Sequence, residues 1–478
     1  MLQKKQYFTN IIFWLFFCLL IAHAVASLVA WYGQVVSLSD LDYAERWQAY
    51  IAYQAYPGAQ HVGSSYEMPY NTIPYPPISY LINGGIGRLV GADLSGIRII
   101  GRTTSLIMTL LNSILIFAIG RKLGVRILWS AIAGLLFLTS PEAQFFAVSL
   151  RPDEMGLAFT LLGLYVVLFF EKYRLGGALF ALAITTKHSF ISFPFVLLMA
   201  LLVWQKRRAA IELVASGFLV GLSILLLGTW MLGSYWWQGC LLQGFHGANI
   251  KQAIYFIGRG FSQPVLAIGL ASVVITGLRN SVGIVAACFL VSLSFNSLAL
   301  VKVGAAGNYF LEPVALASIL SSYLAKKVLD NRRLVWRGFA WTLILALIIP
   351  STVEQIDMTV KSLRDRANTD ISTKPVIELL RSIDGPILSD QAVFYFDSGH
   401  QPFASPPDLI MAAIEGGKID GRPMQQLIER QGFNAIVVRK NWKERPHFPQ
   451  AWISAIEANY APLKGDYQYN VMKPKGKA

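Results

Sequence analysis

The stretch SLSDLDYAERWQAYIAYQAY (residues 37–56) and, ten residues further on, EMPYNTIPYPPISY (67–80) form the first hydrophilic segment of the chain. It sets three carboxylates, Asp40, Asp42 and Glu45, directly behind the apolar run FTNIIFWLFFCLLIAHAVASLVAWY (8–32). That run exceeds the h-region of a secretory signal, and no small-residue cleavage site follows closely, so it reads as a retained membrane span. The acidic segment then lies just outside the bilayer. Later polar residues matter to the extent that they emerge on the same side.

Composition supports the membrane reading. Of 478 residues, 54% are hydrophobic and only 14% charged. Runs of roughly 20 uncharged apolar residues, each long enough to cross a bilayer as a helix, recur as far as residue 350. The net charge of +14 does not mark a nucleic-acid binder. Basic residues gather in short connectors: Lys4-Lys5, Arg121-Lys122 with Arg126, Lys172 with Arg174, Lys206-Arg207-Arg208, and Lys326-Lys327 with Arg332-Arg333. Such loops stay cytoplasmic under the positive-inside rule. The last segment, 351–478, is nearly neutral, with 16 basic and 15 acidic residues. Cys18, Cys240 and Cys288 are too scattered for a disulfide framework or a metal site.

With the basic connectors inside, the N-terminus is cytoplasmic and the chain makes about eleven crossings. The expected spans are 9–31, 99–119, 127–140, 155–170, the short pair 175–186 and 190–204, then 210–232, 262–278, 281–300, 313–325 and 335–350. The fold class is thus a polytopic α-helical membrane protein, with a transmembrane domain over 1–350 and a first outer loop over about 32–98. In that loop Tyr43, Trp47, Tyr50, Ile51 and Gln54 share a helical face suited to a membrane interface. Pro74 to Pro77 interrupt regular structure, and 78–90 reads as a second interfacial helix. The odd count puts 351–478 outside, where alternating helix-like and strand-like pieces from 374 onward predict a small α/β domain.

This topology collects on the outer face Asp40, Asp42, Glu45, Tyr75, Arg151, Asp153, Glu154, Lys187, His188, His246, Lys251, Arg259, Lys302, Asn308, Tyr309 and Glu312. Carboxylates beside cations suit a general base next to an anionic substrate. Plainer readings stand beside this one. Asp42 and Glu45 have capping-box spacing, Asp153 and Glu154 sit where a helix dipole favours negative charge, and Arg151 is placed for a local ion pair with Glu154. Lys187 could snorkel to the interface. His246 is a solvated loop residue before it is a metal ligand.

DLDYAERW after the first span, YPP-x-x-Y before the second, LRPDE opening the fourth, the Lys-His-Ser step and NYFLE near the tenth give the chain its resemblance. It resembles the GT-C glycosyltransferase superfamily, in particular bacterial members similar to protein O-mannosyltransferases and the aminoarabinose transferase of lipid A. The resemblance implies a polyprenyl-phosphate sugar donor, a glycan, lipid or protein acceptor, inversion at the anomeric carbon, and residence in a bacterial inner membrane. Asp40 or Asp42 would be the base, with Glu45 beside them. Asp153 and Glu154 would orient the acceptor, or hold a divalent cation in members that need one. Arg151, Lys187, His188, Arg259 and Lys302 would meet the donor phosphate. Tyr75, Asn308, Tyr309 and Glu312 would line the substrate pocket. The chain departs from the O-mannosyltransferases in lacking their adjacent Asp-Glu pair in the first loop.

Two observations agree independently. No Rossmann-type glycine fingerprint is present to bind a nucleotide sugar, and grooves between spans can hold a lipid tail. A lipid flippase would instead show inverted repeats and paired broken helices. A ligase acting on lipid-linked glycans would carry its long outer loop late in the chain. A passive scaffold for the last segment would have no use for Arg151 and Lys187.

Overall fold

The computed structural model describes residues 2–37, 40–41, 44–56, 64–244, 248–276, 280–302, 305–330, 353, 373–443, 447–463 and 469–476. Asp42, His246 and the eleventh expected span lie outside the described residues.

Helices form where the apolar runs are. In order they are α1 (Leu2–Val35), α2 (Glu45–Gln54), α3 (Ile78–Leu89), α4 (Leu94–Lys122), α5 (Ile127–Leu138), α6 (Pro141–Phe146), α7 (Asp153–Phe170) and α8 (Tyr173–Thr186). There follow α9 (Ser192–Val203), α10 (Arg207–Leu232), α11 (Trp236–Gly244), α12 (Ile250–Phe261), α13 (Pro264–Thr276), α14 (Ser281–Ala299) and α15 (Leu311–Asp330). Five described helices are long and apolar enough to cross a membrane, within α1, α4, α7, α10 and α14. The pair α12 and α13, bent by 75° at its break, makes six if counted as one span, while α5 and α9 are shorter apolar helices.

The chain folds as two compact units. The first comprises Met1–Val35, Arg102–Ile224 and Ala248–Ser362. Its core is aliphatic and aromatic, with Phe137, Leu157, Leu161, Phe193, Phe289, Phe310 and Leu316 fully or almost fully buried. Small residues bring its helices close, since lipid offers no hydrophobic drive between them and close packing must supply the attraction. A Cβ on Gly163 of α7 would lie 2.7 Å from the Phe180 ring of α8. One on Gly177 of α8 would lie 2.1 Å from the Leu213 carbonyl oxygen of α10.

The second unit comprises Val36–Gly101, Leu225–Gly247 and Leu363–Ala478. Here β1 (Tyr70–Asn71), β2 (Ile387–Ser389), β3 (Ala404–Ser405), β4 (Ala435–Arg439), β5 (Tyr460–Pro462) and β6 (Tyr469–Pro474) make two sheets. The larger has the order β2-β4-β6-β5; β2 and β4 are parallel and the other pairs antiparallel. Its two parallel strands, β2 and β4, are buried runs rich in Ile, Leu and Val, as a covered sheet demands. The smaller joins β1 of the first loop to β3 in parallel, Tyr70 opposite Ala404. The Tyr70 hydroxyl donates to the Asp420 carbonyl at 2.6 Å, and its ring stacks on Trp452.

One expectation changes. The aromatic face of α2 is not turned to a lipid interface: Trp47 is fully buried, 5.9 Å from the Tyr395 ring and 5.5 Å from that of Phe396. Glu45, Arg46, Gln48, Ala49, Ile51 and Ala52 are buried as well, so protein covers the Trp47 side of the helix and Tyr53 is left exposed. A helical face of Tyr, Trp and Ile is the same pattern whether it meets lipid or a protein core, and only the chain returning some 350 residues later makes the choice.

Candidate functional site

Each unit gathers its own polar cluster. In the second unit Asp40 stands ahead of α2 with its side chain 19% exposed. Its Oδ1 accepts from Arg46 Nε at 2.6 Å and lies 3.5 Å from Arg98 Nη1. Both guanidinium groups are almost wholly buried. Arg46 also reaches the carboxylate of Asp397 with Nη1, so one planar fork bridges two acids. Burial pushes the Asp40 carboxyl up to about 6, against the pull of Arg46; the Glu45 charge adds to the rise and Arg98 opposes it.

Glu45 is otherwise employed. Its Oε2 accepts the Leu41 N–H at 2.8 Å, tying down the approach to α2 as a capping side chain does. Tyr75 is buried in this unit too.

In the first unit Asp153, the first residue of α7, is buried. Its Oδ1 accepts from Lys187 Nζ at 2.5 Å and from Asn308 Nδ2 at 2.8 Å. Lys187 follows α8 in the Lys-His step, 3% exposed, with its ammonium 4.8 Å from the centre of the Tyr309 ring. Glu154 turns instead to Asn112 of α4, whose Nδ2 donates to it at 2.7 Å. Glu312, in the first turn of α15, accepts from Ser192 Oγ at 2.5 Å and from Asn296 Nδ2 at 3.3 Å. Five residues named from sequence, Asp153, Lys187, Asn308, Tyr309 and Glu312, are thus drawn into one buried polar region from three chain segments.

Arg151 is half-buried, its guanidinium 5.9 Å from the centre of the Phe146 ring. Arg259 is exposed at the end of α12 and forms no ion pair among the described residues. His188 is exposed beside Lys187. Lys302 is half-buried, and its carbonyl accepts from Gln252. Among the described residues no three His, Cys, Asp or Glu side chains gather in one cluster. Asp153 holds the Lys187 ammonium through Oδ1, while its Oδ2 is buried with no hydrogen-bond partner.

Several residues escaped the sequence reading. Arg46, Arg98 and Arg102 are all nine-tenths or more buried, Arg102 donating to the Gln34 carbonyl at 2.9 Å. The signal was there for Arg98 and Arg102, since charges one helical turn apart at the start of an apolar span are costly unless partnered. Asn112, Ser192 and Asn296 looked like ordinary span residues. Asp397 carries no local signal at all.

A family of predicted membrane proteins, DUF2142, matches residues 47–253. No curated protein matches the sequence. Among solved structures, ArnT from Cupriavidus metallidurans bound to undecaprenyl phosphate superposes with a TM-score of 0.62 at 13% identity, covering 96% of this chain and 98% of that one. The oligosaccharyltransferase of Archaeoglobus fulgidus in its apo form gives 0.55 at 11% identity, over 96% and 74% of the two chains. The archaeal oligosaccharyltransferase AglB from Archaeoglobus fulgidus, in complex with an inhibitory peptide and a dolichol-phosphate, gives 0.52 at 10%, over 99% and 75%. These are GT-C glycosyltransferases. At such identities the likeness is one of fold, and this chain shares that fold along nearly its whole length.

Proposed function

We propose that this chain is an integral membrane glycosyltransferase that moves a hexosyl or pentosyl group from a polyprenyl-phosphate donor to a glycan, lipid or protein acceptor on the extracytoplasmic face. Asp40 takes the proton of the acceptor nucleophile as the latter attacks the anomeric carbon from the side opposite the phosphate, and the configuration inverts. The bond from the anomeric carbon to the phosphate oxygen breaks, and polyprenyl phosphate leaves with the electron pair. Arg151, Lys187, Arg259 and Lys302 offset the charge of that phosphate, and His188 offers it a hydrogen bond. Asp153 orients Lys187, while Tyr75, Asn308, Tyr309 and Glu312 shape the pocket. The remaining roles follow the topology: eleven spans in a bacterial inner membrane, the N-terminus cytoplasmic and residues 351–478 extracytoplasmic.

The observation that carries the reading is Asp40: a mostly buried carboxyl that burial pushes up to about 6 although Arg46 donates to it at 2.6 Å. A general base works best with a pKa close to the working pH. Support also comes from the undecaprenyl phosphate and dolichol-phosphate held by the similar structures.

The test is transfer of radiolabelled sugar from a panel of polyprenyl-phosphate donors by purified protein in lipid, beside Asp40→Asn and Asp42→Asn. Consumption of one donor by wild type, abolished in Asp40→Asn alone, is the expected result. If no donor is consumed and the protein moves labelled lipid between leaflets, the transferase reading fails and the flippase reading replaces it.

A further inference from the structure

Arg46 is not a private partner of Asp40. Its Nε meets Asp40 Oδ1 at 2.6 Å, while Nη1 meets Asp397, a residue 351 positions away in sequence. Asp397 is itself held. Its carbonyl accepts from Arg381 Nε at 3.0 Å. Its neighbour Phe396 stacks on Tyr50 of α2 at 4.7 Å and meets Trp47 edge-on. Gln401 accepts from the Tyr50 hydroxyl at 3.2 Å. The segment 396–401 therefore grips α2 through ring packing, a hydrogen bond and an ion pair. The ion pair alone runs on to Asp40.

We propose that Asp397 is a positioning residue for Asp40, acting through the shared guanidinium of Arg46. The inference rests on the reading of Asp40 as the base, and it adds that the C-terminal segment sets how basic that carboxylate is. A guanidinium divided between two carboxylates stabilises each less than it would stabilise one alone. Asp397 thus draws part of Arg46 away and adds a second negative charge nearby. Both effects hold the Asp40 proton more tightly. The other charged or titratable groups facing Asp40 are Glu45 on α2, Arg98 on α4 and Tyr469 on β6. None of them shares the Arg46 fork among the described ion pairs.

Two measurements on the full chain in nanodiscs test this. The first is an infrared titration of protein carrying ¹³C-aspartate, with the Asp40 band isolated by subtracting the spectrum of Asp40→Asn. It requires no substrate. Asp397→Asn keeps the shape and removes the charge; it should lower the Asp40 midpoint by about half a pH unit or more, and Asp397→Glu should restore it. In an Arg46→Lys background, where a point charge replaces the fork, the effect of Asp397→Asn should largely disappear. The second measurement is the pH profile of kcat/KM on the donor consumed, whose rising limb should move with the infrared midpoint.

An Asp40 midpoint unchanged by Asp397→Asn in a folded protein overturns the inference. An Asp40→Asn variant that still transfers sugar overturns the base reading and leaves the infrared result standing. Should Asp397→Asn fail to fold, Asp397→Ser takes its place: a lowered Asp40 midpoint there supports the shared fork, and an unchanged one defeats it.

Discussion

Two guanidinium groups against one carboxylate would ordinarily make a strong acid, yet burial pushes the Asp40 carboxyl up to about 6. Burial outweighs both cations because desolvating the anion costs more than a shared, mostly buried Arg returns. The sign follows directly. The folded chain holds this proton more tightly than the unfolded chain does. Its contribution to stability is therefore complete below the ordinary carboxylate range and is lost as pH rises through about 6. Activity runs the other way: kcat/KM should climb through pH 6 as the base is freed. Asp40→Asn should abolish the climb and lower kcat by about 10²–10⁴-fold. Asp153 and Lys187 pose a stability question instead. The side chains are 1% and 4% exposed, so losing either partner strands a buried charge. Lys187→Met or Asp153→Asn should each cost about 3–5 kcal/mol, and the double variant less than their sum. Thermal unfolding in nanodiscs measures all three, and strict additivity would show that the pair is not coupled. At this scale the residue types were legible in sequence, but their pairings were not. Asp153, Lys187 and Asn308 announce themselves as polar groups near apolar spans, while nothing local says that one carboxylate oxygen accepts from both of the others.

Among the elements, α2 and α8 show where pattern suffices and where it does not. Trp47 closes the buried side of α2 against Tyr395 and Phe396. Trp47→Ala should cost about 3–5 kcal/mol, read as a lowered Tm. An unchanged Tm would return the helix to the lipid interface. Its periodicity was plain from Tyr43 to Gln54, but periodicity records that one side is apolar without naming what covers it. In α8 the sequence LGG looks like a weak point in a helix, since glycine costs backbone entropy there. The close approach of Leu213 explains it: backbone oxygen occupies the site a Cβ at Gly177 would need. Gly177→Ala should destabilise by about 1–3 kcal/mol, more than Gly221→Ala on α10, whose Cβ would meet nothing nearer than 3.8 Å.

For the whole molecule, the proposed topology has a direct test. In a chain with Cys18, Cys240 and Cys288 replaced, a single cysteine at Lys206 should react with an impermeant maleimide only from the cytoplasmic side. One at Lys443 should react only from outside. Labelling of both from one side would remove the odd count of crossings. The sequence by itself determined that the chain lives in a membrane, which connectors are basic, where most helices begin and end, and that acids follow the first span. Those are local properties: hydropathy, charge placement and helix-compatible runs act over some twenty residues, and water, lipid and backbone hydrogen bonding enforce them one segment at a time. Only the tertiary structure decided that the first loop shares a compact unit with the last hundred residues, that Tyr70 pairs with Ala404, and that Arg46 bridges Asp40 and Asp397. These contacts join residues more than 300 positions apart, where loop closure is dearest and local sequence carries no trace of the partner. A buried Arg can take any carboxylate that packing brings to it, and it is the fold that brings Asp397.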